Sequence, residues 1–137
     1  MSDPFAVDSS ALVAIIRGED EADAFVAAIS AAPRLLGWPT LLETKLWCLH
    51  RLTGGRSTWL EQVVADPDTT LVAFDGELEA IAFMAYERFG RGRHLAGLNF
   101  GDAMSYAVAA KYDVPLLFKG KDFGATDLRA HAASAML

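Results

Sequence analysis

The sequence predicts an α/β fold in which a central parallel sheet is flanked by helices. Short apolar runs alternate with longer amphipathic segments along the 137 residues, and this alternation is typical of parallel strands joined through helices. The composition is 53% hydrophobic and 22% charged, as in a compact domain that buries a substantial core. We therefore expect residues 1–137 to form a single domain.

Two strands and two helices are predicted in the first part of the chain. The apolar run 5–8 is a strand, and it is followed by a short helix at 11–16 that stops at Gly18. Residues 19–32 begin with acidic side chains, which stabilise the start of a helix, and continue with apolar residues at helical spacing. The short run 34–37 is predicted as the second strand.

The middle of the chain continues the alternation. Pro39 suits the first turn of a helix, which is predicted to run over 39–52, and residues 56–65 are also predicted to be helical. Residues 69–74 are apolar or β-branched, as in a strand. Residues 75–89 carry a single apolar stripe at helical spacing and predict another helix.

The last part of the chain predicts one more helix and one more strand. The helix covers 99–112 and the strand covers 114–118. The alanine-rich end, 131–137, is expected to be a helix or a frayed tail.

The charge is distributed unevenly along the chain. The formal net charge is −6, which argues against an ordinary nucleic-acid-binding protein. Residues 1–87 carry five basic and fourteen acidic residues, whereas residues 88–137 carry seven basic and four acidic residues. A local positive surface is sufficient to bind phosphate, so the second part could contact a polyanion, although ordinary variation in surface charge explains the same counts.

Several common classes of site and location are excluded or disfavoured. The chain has neither a P-loop nor a dinucleotide-binding glycine pattern. Its three histidines are far apart in sequence, and the single Cys48 stands in an apolar run, so neither a zinc site nor a Cys–His nucleophile is indicated. No signal peptide is recognised, because residues 1–10 contain Asp3 and Asp8 and no Lys or Arg. No membrane-spanning run is recognised, because the longest run without charged residues, 24–33, is shorter than the ~20 residues that a bilayer requires. We expect a cytoplasmic protein.

Four carboxylates stand at positions where they could do chemistry. They are Asp8, Glu43, Asp102 and Asp122. Each also has a structural interpretation, since Asp8 could cap the following helix and Asp122 could be an ordinary turn residue. The segments 40–43 and 99–102 both have the spacing of a capping box.

Taken together, these carboxylates predict a metal site. Ligands of open α/β sheets collect beyond the carboxyl ends of the strands, where Asp8 and Asp122 are expected. Asp102 and Glu43 stand early in helices that can approach the same crevice. Clustered carboxylates repel one another unless a cation is present, and hard oxygen ligands suit Mg²⁺ or Mn²⁺. Metal-assisted hydrolysis of a phosphodiester is the chemistry that fits.

The same residues lie in segments that resemble a known family. These segments are Val7-Asp-Ser-Ser-Ala-Leu12, Glu43, the run 90–102, Leu116-Leu-Phe-Lys-Gly-Lys-Asp-Phe123 and Thr126-Asp127. The chain resembles PIN-domain ribonucleases of the VapC toxin family, the toxic half of bacterial type II toxin–antitoxin pairs. The resemblance covers essentially the whole chain and implies a PIN-like fold over 1–137.

The resemblance also implies an activity and a set of partners. It implies a Mg²⁺-dependent endoribonuclease in which Asp8, Glu43, Asp102 and Asp122 are catalytic and hold the metal, with Asp8 and Asp102 as the direct ligands. A cognate VapB-like antitoxin, an RNA substrate and a homodimer are the implied partners. Many PIN domains carry Thr-x-Asp-x-Asp-Phe where this chain has Phe118-Lys-Gly-Lys-Asp-Phe123. The missing carboxylate argues against a tightly bound second metal.

Two surfaces are predicted to bind these partners. Residues 11–16 are apolar all round, and the helix 39–52 carries two apolar stripes, Leu42, Leu46 and Leu49 on one and Leu41, Cys48 and Leu52 on the other. One of these surfaces is predicted to receive the antitoxin, and burial in the core is the alternative. Phosphate contacts are predicted for six basic residues, Arg88, Arg91, Arg93, His94, Lys119 and Lys121.

Two other functions stay open at this point. A PIN-fold nuclease of RNA or DNA processing would share the site without belonging to a toxin–antitoxin pair. A non-catalytic PIN interaction module would share the fold without binding a metal. The class of RNA, the base among the carboxylates and the role of Asn99, as a cap or as a residue that orients the metal ligands, are not determined by the sequence.

Overall fold

Four short parallel strands form the sheet of the computed structural model, which describes residues 3–137. They are β1 (Phe5–Val7), β2 (Arg34–Gly37), β3 (Thr69–Val72) and β4 (Leu116–Leu117). Their order across the sheet is β3-β2-β1-β4, and Ala6 of β1 pairs with Leu35 on one side and Leu116 on the other. The predicted α/β fold with a central parallel sheet is confirmed.

Six helices connect the strands within the described residues. They are α1 (Ser9–Arg17), α2 (Ala22–Ala31), α3 (Trp38–Arg51), α4 (Thr58–Ala65), α5 (Gly76–Phe89) and α6 (Phe100–Tyr112). Each corresponds to a predicted helix, with ends that differ by a few residues. Within residues 3–137, no helix has both the length and the apolarity needed to cross a membrane.

The sheet is buried on both faces, as expected of a parallel sheet. Ala6 and Leu116 point to the face covered by α5 and α6, where they join a core that contains Leu78 and Ala107. Phe5, Val7 and Leu117 point to the opposite face and pack with residues of α1, α2, α3 and α4. This double burial explains why the strands read as uninterrupted apolar runs.

The C-terminal segment 131–137 is neither a helix nor a frayed tail, so that prediction was wrong. It extends beside β4, where the amide of His131 donates to Leu116 O at 2.8 Å and the amide of Ala135 donates to Phe118 O at 3.0 Å. The amide of Gly120 returns a bond to Ala135 O at 2.9 Å. The outer edge of β4 carries backbone groups that need partners, and pairing with them outweighs the helix propensity of alanine.

Candidate active site

A cavity of about 480 Å³ lies beyond the carboxyl ends of β1 and β4. Its walls include all four carboxylates singled out in the sequence, Asp8, Glu43, Asp102 and Asp122. Ser9, Ser10, Asn99, Lys119, Lys121 and Leu137 also line it. The fold therefore brings together residues from both ends of the chain.

Asp8 follows β1 directly and is 3% exposed. Its Oδ2 accepts hydrogen bonds from the amide of Ser10 at 3.0 Å and from Ser10 Oγ at 2.6 Å, so it caps α1. Its Oδ1 accepts a bond from Ser105 Oγ at 2.5 Å. Asp8 is thus a helix cap and a wall of the cavity at the same time.

Glu43 lies in α3 and does not form a capping box with Thr40. The N-cap of α3 is Gly37, and the Thr40 side chain is directed to Ser105 instead. Glu43 as a whole residue is exposed, but its carboxylate lies against Gly101 at the start of α6. Burial, and then the negative charge of Asp8, raise the pKa of the Glu43 carboxyl, and a hydrogen bond with Ser9 partly offsets them.

Asp102 and Asn99 form a complete capping box at the start of α6. The amide of Asn99 donates to Asp102 Oδ2 at 3.0 Å, and the amide of Asp102 donates to Asn99 Oδ1 at 2.8 Å. Asn99 therefore caps the helix. Burial, together with the nearby carboxyls of Asp8 and Asp122, raises the pKa of Asp102 to about 8, against the opposing hydrogen bond from Asn99.

Asp122 follows β4 in the loop that leads to a short 3₁₀ turn, Phe123–Ala125. Its side chain does not cap that turn. Its carboxyl is near enough to Asp102 to contribute to the raised pKa of that group. Two neighbouring carboxyls repel each other when both are ionised, unless a cation lies between or beside them.

The donor set fits a hard divalent cation. Within residues 3–137, no three His, Cys, Asp or Glu side chains converge closely enough to hold a metal ion as they stand. The cavity nevertheless gathers four carboxylates, and the raised pKa values of Glu43 and Asp102 reflect burial and negative charge that a cation would offset. Oxygen donors of this kind are those that Mg²⁺ and Mn²⁺ prefer.

The six basic residues of the predicted phosphate surface have different surroundings. Lys119 Nζ lies 2.9 Å from Oε1 of Glu19 and 2.8 Å from Oε1 of Glu21. These ion pairs connect Lys119 to the loop between α1 and α2. Lys121 is exposed at the cavity rim.

The other four basic residues do not line the cavity. Arg88 lies 3.6 Å from Asp127, outside the cavity. Arg91, Arg93 and His94 stand in the loop between α5 and α6.

Three residues that contact the carboxylates were not predicted from the sequence. Ser105 and Ser10 hold Asp8, and Gly101 makes room for Glu43. Ser105 is a hydroxyl in a stretch of α6 that is otherwise almost entirely apolar and fully buried. A polar residue in such a stretch is the sequence signal that could have identified it, because buried hydroxyls need partners.

The structure separates the two apolar stripes predicted on α3. Leu41 and Cys48 are buried in the core, and burial raises the pKa of the Cys48 thiol. Leu42, Leu46 and Leu49 are instead exposed by 57%, 46% and 61%. The predicted surface at 11–16 is largely core, since Ala11, Leu12 and Ala14 are buried.

Comparison with known proteins gives consistent matches. A family model described as PIN domain matches residues 5–128. A Ribonuclease VapC of Mycolicibacterium smegmatis is 41% identical over 129 residues, which cover 90% of this chain and 97% of that protein.

Two solved structures share the fold. The crystal structure of Mycobacterium tuberculosis VapC20, described as a Sarcin-Ricin loop cleaving toxin, has a TM-score of 0.72 at 18% identity and covers 90% of this chain and 95% of its own. A toxin-antitoxin complex from Klebsiella pneumoniae has a TM-score of 0.65 at 17% identity, and the match covers 90% of this chain and 92% of that chain. At these identities the likeness concerns the fold.

Proposed function

Because the chain belongs to the PIN-domain family and, within it, to the VapC ribonucleases, we propose that it is a metal-dependent endoribonuclease, the toxin of a toxin–antitoxin pair. The observation that carries the proposal is the gathering of Asp8, Glu43, Asp102 and Asp122 around one cavity. The proposed catalytic unit is a single PIN domain formed by the whole chain.

The proposed cofactor is Mg²⁺, with Mn²⁺ as a substitute. Asp8 and Asp102 are the proposed direct ligands, and Glu43 and Asp122 complete the acidic site. A bound divalent cation supplies Lewis acidity, which polarises a phosphoryl oxygen and makes water easier to deprotonate. One cation is proposed because Gly120 stands where many PIN domains carry a further carboxylate.

The remaining chemistry is assigned to side chains of the chain itself. Either Oε of Glu43 or Oδ of Asp122 accepts the proton of the attacking water, since both line the cavity. Burial shields the inner wall, where Asp8 is held by three hydrogen bonds. No histidine lines this cavity as the structure describes it.

The proposed substrate is RNA, held by its phosphates. Lys121 stands at the cavity rim, and Arg91 and Arg93 are exposed in the loop before α6. Contacts of this kind supply affinity with little choice of sequence. Lys119 takes a different role here, because its ammonium group is already held by Glu19 and Glu21.

The proposed protein partners are an antitoxin and a second copy of the chain. The solved structure of similar fold from Klebsiella pneumoniae is a toxin-antitoxin complex. The chain offers apolar surface for such partners in Leu42, Leu46 and Leu49 of α3, and in the grooves beside α6 that share Phe100 and Met104. Exposed apolar groups that adjoin one another are typical of protein interfaces.

The proposal is tested by RNA cleavage with Mg²⁺, with Mn²⁺ and with EDTA. Cleavage that requires the cation supports it, and cleavage that is indifferent to EDTA contradicts it. Sequencing of RNA ends after induced expression identifies the substrate. Co-purification with the product of a small upstream reading frame supports the toxin–antitoxin pairing, whereas an active nuclease without such a partner indicates a role in RNA or DNA processing.

A further inference from the structure

Ser105 lies one helical turn after Asp102, on the side of α6 that faces β1. Its side chain is 1% exposed, and its Oγ lies 2.5 Å from Oδ1 of Asp8. Ser105 is not among the residues that line the cavity. Any influence of this hydroxyl on a bound group must therefore pass through Asp8.

The direction of the hydrogen bonds around Ser105 is fixed by the partners. Thr40 Oγ1, which is also buried, lies 3.2 Å from Ser105 Oγ. A carboxylate oxygen only accepts, so the hydroxyl hydrogen of Ser105 is directed to Asp8. Thr40 must then donate to Ser105. Thr40 of α3 thus donates to Ser105 of α6, and Ser105 donates to Asp8 at the end of β1.

The second oxygen of Asp8 is fixed in the same manner from the opposite side. Ser10 Oγ accepts a bond from the amide of Lys119 at 3.0 Å, so its own hydrogen is directed to Asp8 Oδ2 at 2.6 Å. The amide of Ser10 also donates to Oδ2. Oδ2 therefore has two donors and Oδ1 has one, which leaves acceptor capacity on Oδ1 for a further ligand.

We infer that Ser105 is a positioning residue, which holds the Asp8 carboxylate in the orientation that a divalent cation requires. The terminal torsion of an aspartate is broad, and the bonds on Oδ2 come from one neighbouring residue. Ser105 adds a restraint from a different element, α6, which also carries Asp102. The inference rests on the proposed function, since the cation is part of that proposal.

A purely structural role for Ser105 gives different expectations. A hydroxyl that only satisfied a buried carboxylate would contribute to the stability of the fold, and its loss would leave cation affinity unchanged. A hydroxyl that orients a ligand contributes to affinity as well. Residues that orient metal ligands typically change affinity by about 10- to 100-fold when they are removed.

The test is calorimetric titration of the metal-free chain with Mn²⁺, combined with thermal melts. Ser105→Ala is expected to bind Mn²⁺ about 10- to 100-fold more weakly than wild type. Ser105→Thr keeps the hydroxyl and is expected to restore the affinity. The matched control is Thr44→Val, which also removes a buried hydroxyl, but one that donates to Thr40 O at 2.9 Å and does not contact Asp8. Thr44→Val is expected to bind Mn²⁺ as wild type does.

The outcomes separate this inference from the proposed function. A wild-type chain that does not bind Mn²⁺ contradicts the proposed metal site itself, and the inference with it. A wild type that binds, with a folded Ser105→Ala variant of equal or tighter affinity, overturns the inference alone. If circular dichroism shows Ser105→Ala to be unfolded, Ser105→Cys, which fills the site with a weaker donor, is measured against the same criterion.

Discussion

The carboxylate of Glu43 occupies the space that a side chain at position 101 would need. A Cβ on Gly101 would lie 2.6 Å from Oε2 and 2.7 Å from Oε1 of Glu43. Gly101 stands in the first turn of α6, directly before Asp102. The missing side chain at this position therefore lets a carboxylate of α3 approach the helix that carries Asp102.

Gly101→Ala is expected to lower activity without lowering stability. Alanine is favoured over glycine in a helix by about 0.5–1 kcal/mol, and the clash is with the flexible end of Glu43, which can move away. The melting temperature is therefore expected to be unchanged or raised. RNA cleavage is expected to fall by up to about 100-fold, because small displacements of catalytic groups are costly.

Gly76→Ala is the matched control for this experiment. Gly76 stands in the first turn of α5 behind an aspartate N-cap, and a Cβ there would meet no atom within 4 Å. The control is expected to gain similar stability with full activity. A Gly101→Ala variant with wild-type cleavage would contradict the role of the Glu43–Gly101 approach.

Asp102→Asn separates helix capping from metal binding. Asparagine keeps the size and much of the capping ability of aspartate, so a residue that only caps would lose at most about 1 kcal/mol of stability with activity largely intact. A metal ligand would lose cleavage by orders of magnitude. We expect the second result, together with a more stable metal-free protein, because repulsion from Asp8 and Asp122 is relieved. Asp127→Asn, outside the cavity, is the control that should keep activity.

The raised pKa of Asp102 gives a pH dependence with a defined sign. The group titrates at 3.8 in the unfolded chain and at about 8 in the folded chain, so the folded state binds more protons between these values. Stability from Asp102 is therefore fully present below pH 3.8 and is lost as pH rises towards about 8. In EDTA, the free energy of unfolding is measured by urea titration for wild type and for Asp102→Asn. The value for wild type minus the value for the variant should decrease as pH rises across this window. A constant difference would contradict the raised pKa.

The fold could be predicted from the sequence more completely than the site could. The alternation of apolar runs and amphipathic segments identified the four strands and six helices, and the position of Asp8 and Asp122 after strands placed them at the cavity. The contact between Glu43 of α3 and Gly101 of α6 depends on how the two helices pack, and the local sequence of each helix does not indicate it. Ser105 stands 97 residues from Asp8 in the sequence, and no local pattern indicates that the two are in contact, so this hydrogen bond is visible only in the structure.

The C-terminal segment illustrates the same limit. Its alanines favour a helix locally, but the open edge of β4 supplies hydrogen-bond partners that only the assembled sheet presents. Local propensity could not indicate this pairing. The segment also brings Leu137 to the cavity wall.

Lys121 and Lys119 are expected to respond differently to substitution, although only Gly120 separates them. Lys121→Ala should weaken RNA binding and reduce its salt dependence, since each phosphate contact on a single strand contributes about 0.7 to the slope of log K against log salt. Lys119→Met should chiefly lower stability, because it breaks the ion pairs with Glu19 and Glu21. Binding assays over a range of salt, with Lys45→Ala on the exposed side of α3 as control, check both. An unchanged slope for Lys121→Ala would contradict the phosphate contact.

We propose the exposed stripe of α3, which is one of the two candidate antitoxin surfaces in the sequence, as a surface for a second copy of the chain. Leu42 and Leu46 border a groove of about 320 Å³ together with Phe100 and Met104, and such adjoining apolar groups gain free energy when a partner covers them. Leu46→Asp should therefore yield a monomer in sedimentation equilibrium at concentrations where wild type is a dimer, with the fold unchanged by circular dichroism. Lys45→Asp, at the neighbouring exposed position, is the control and should stay dimeric. A monomeric wild type, or a Leu46→Asp variant that dimerises as wild type does, would place the interface elsewhere.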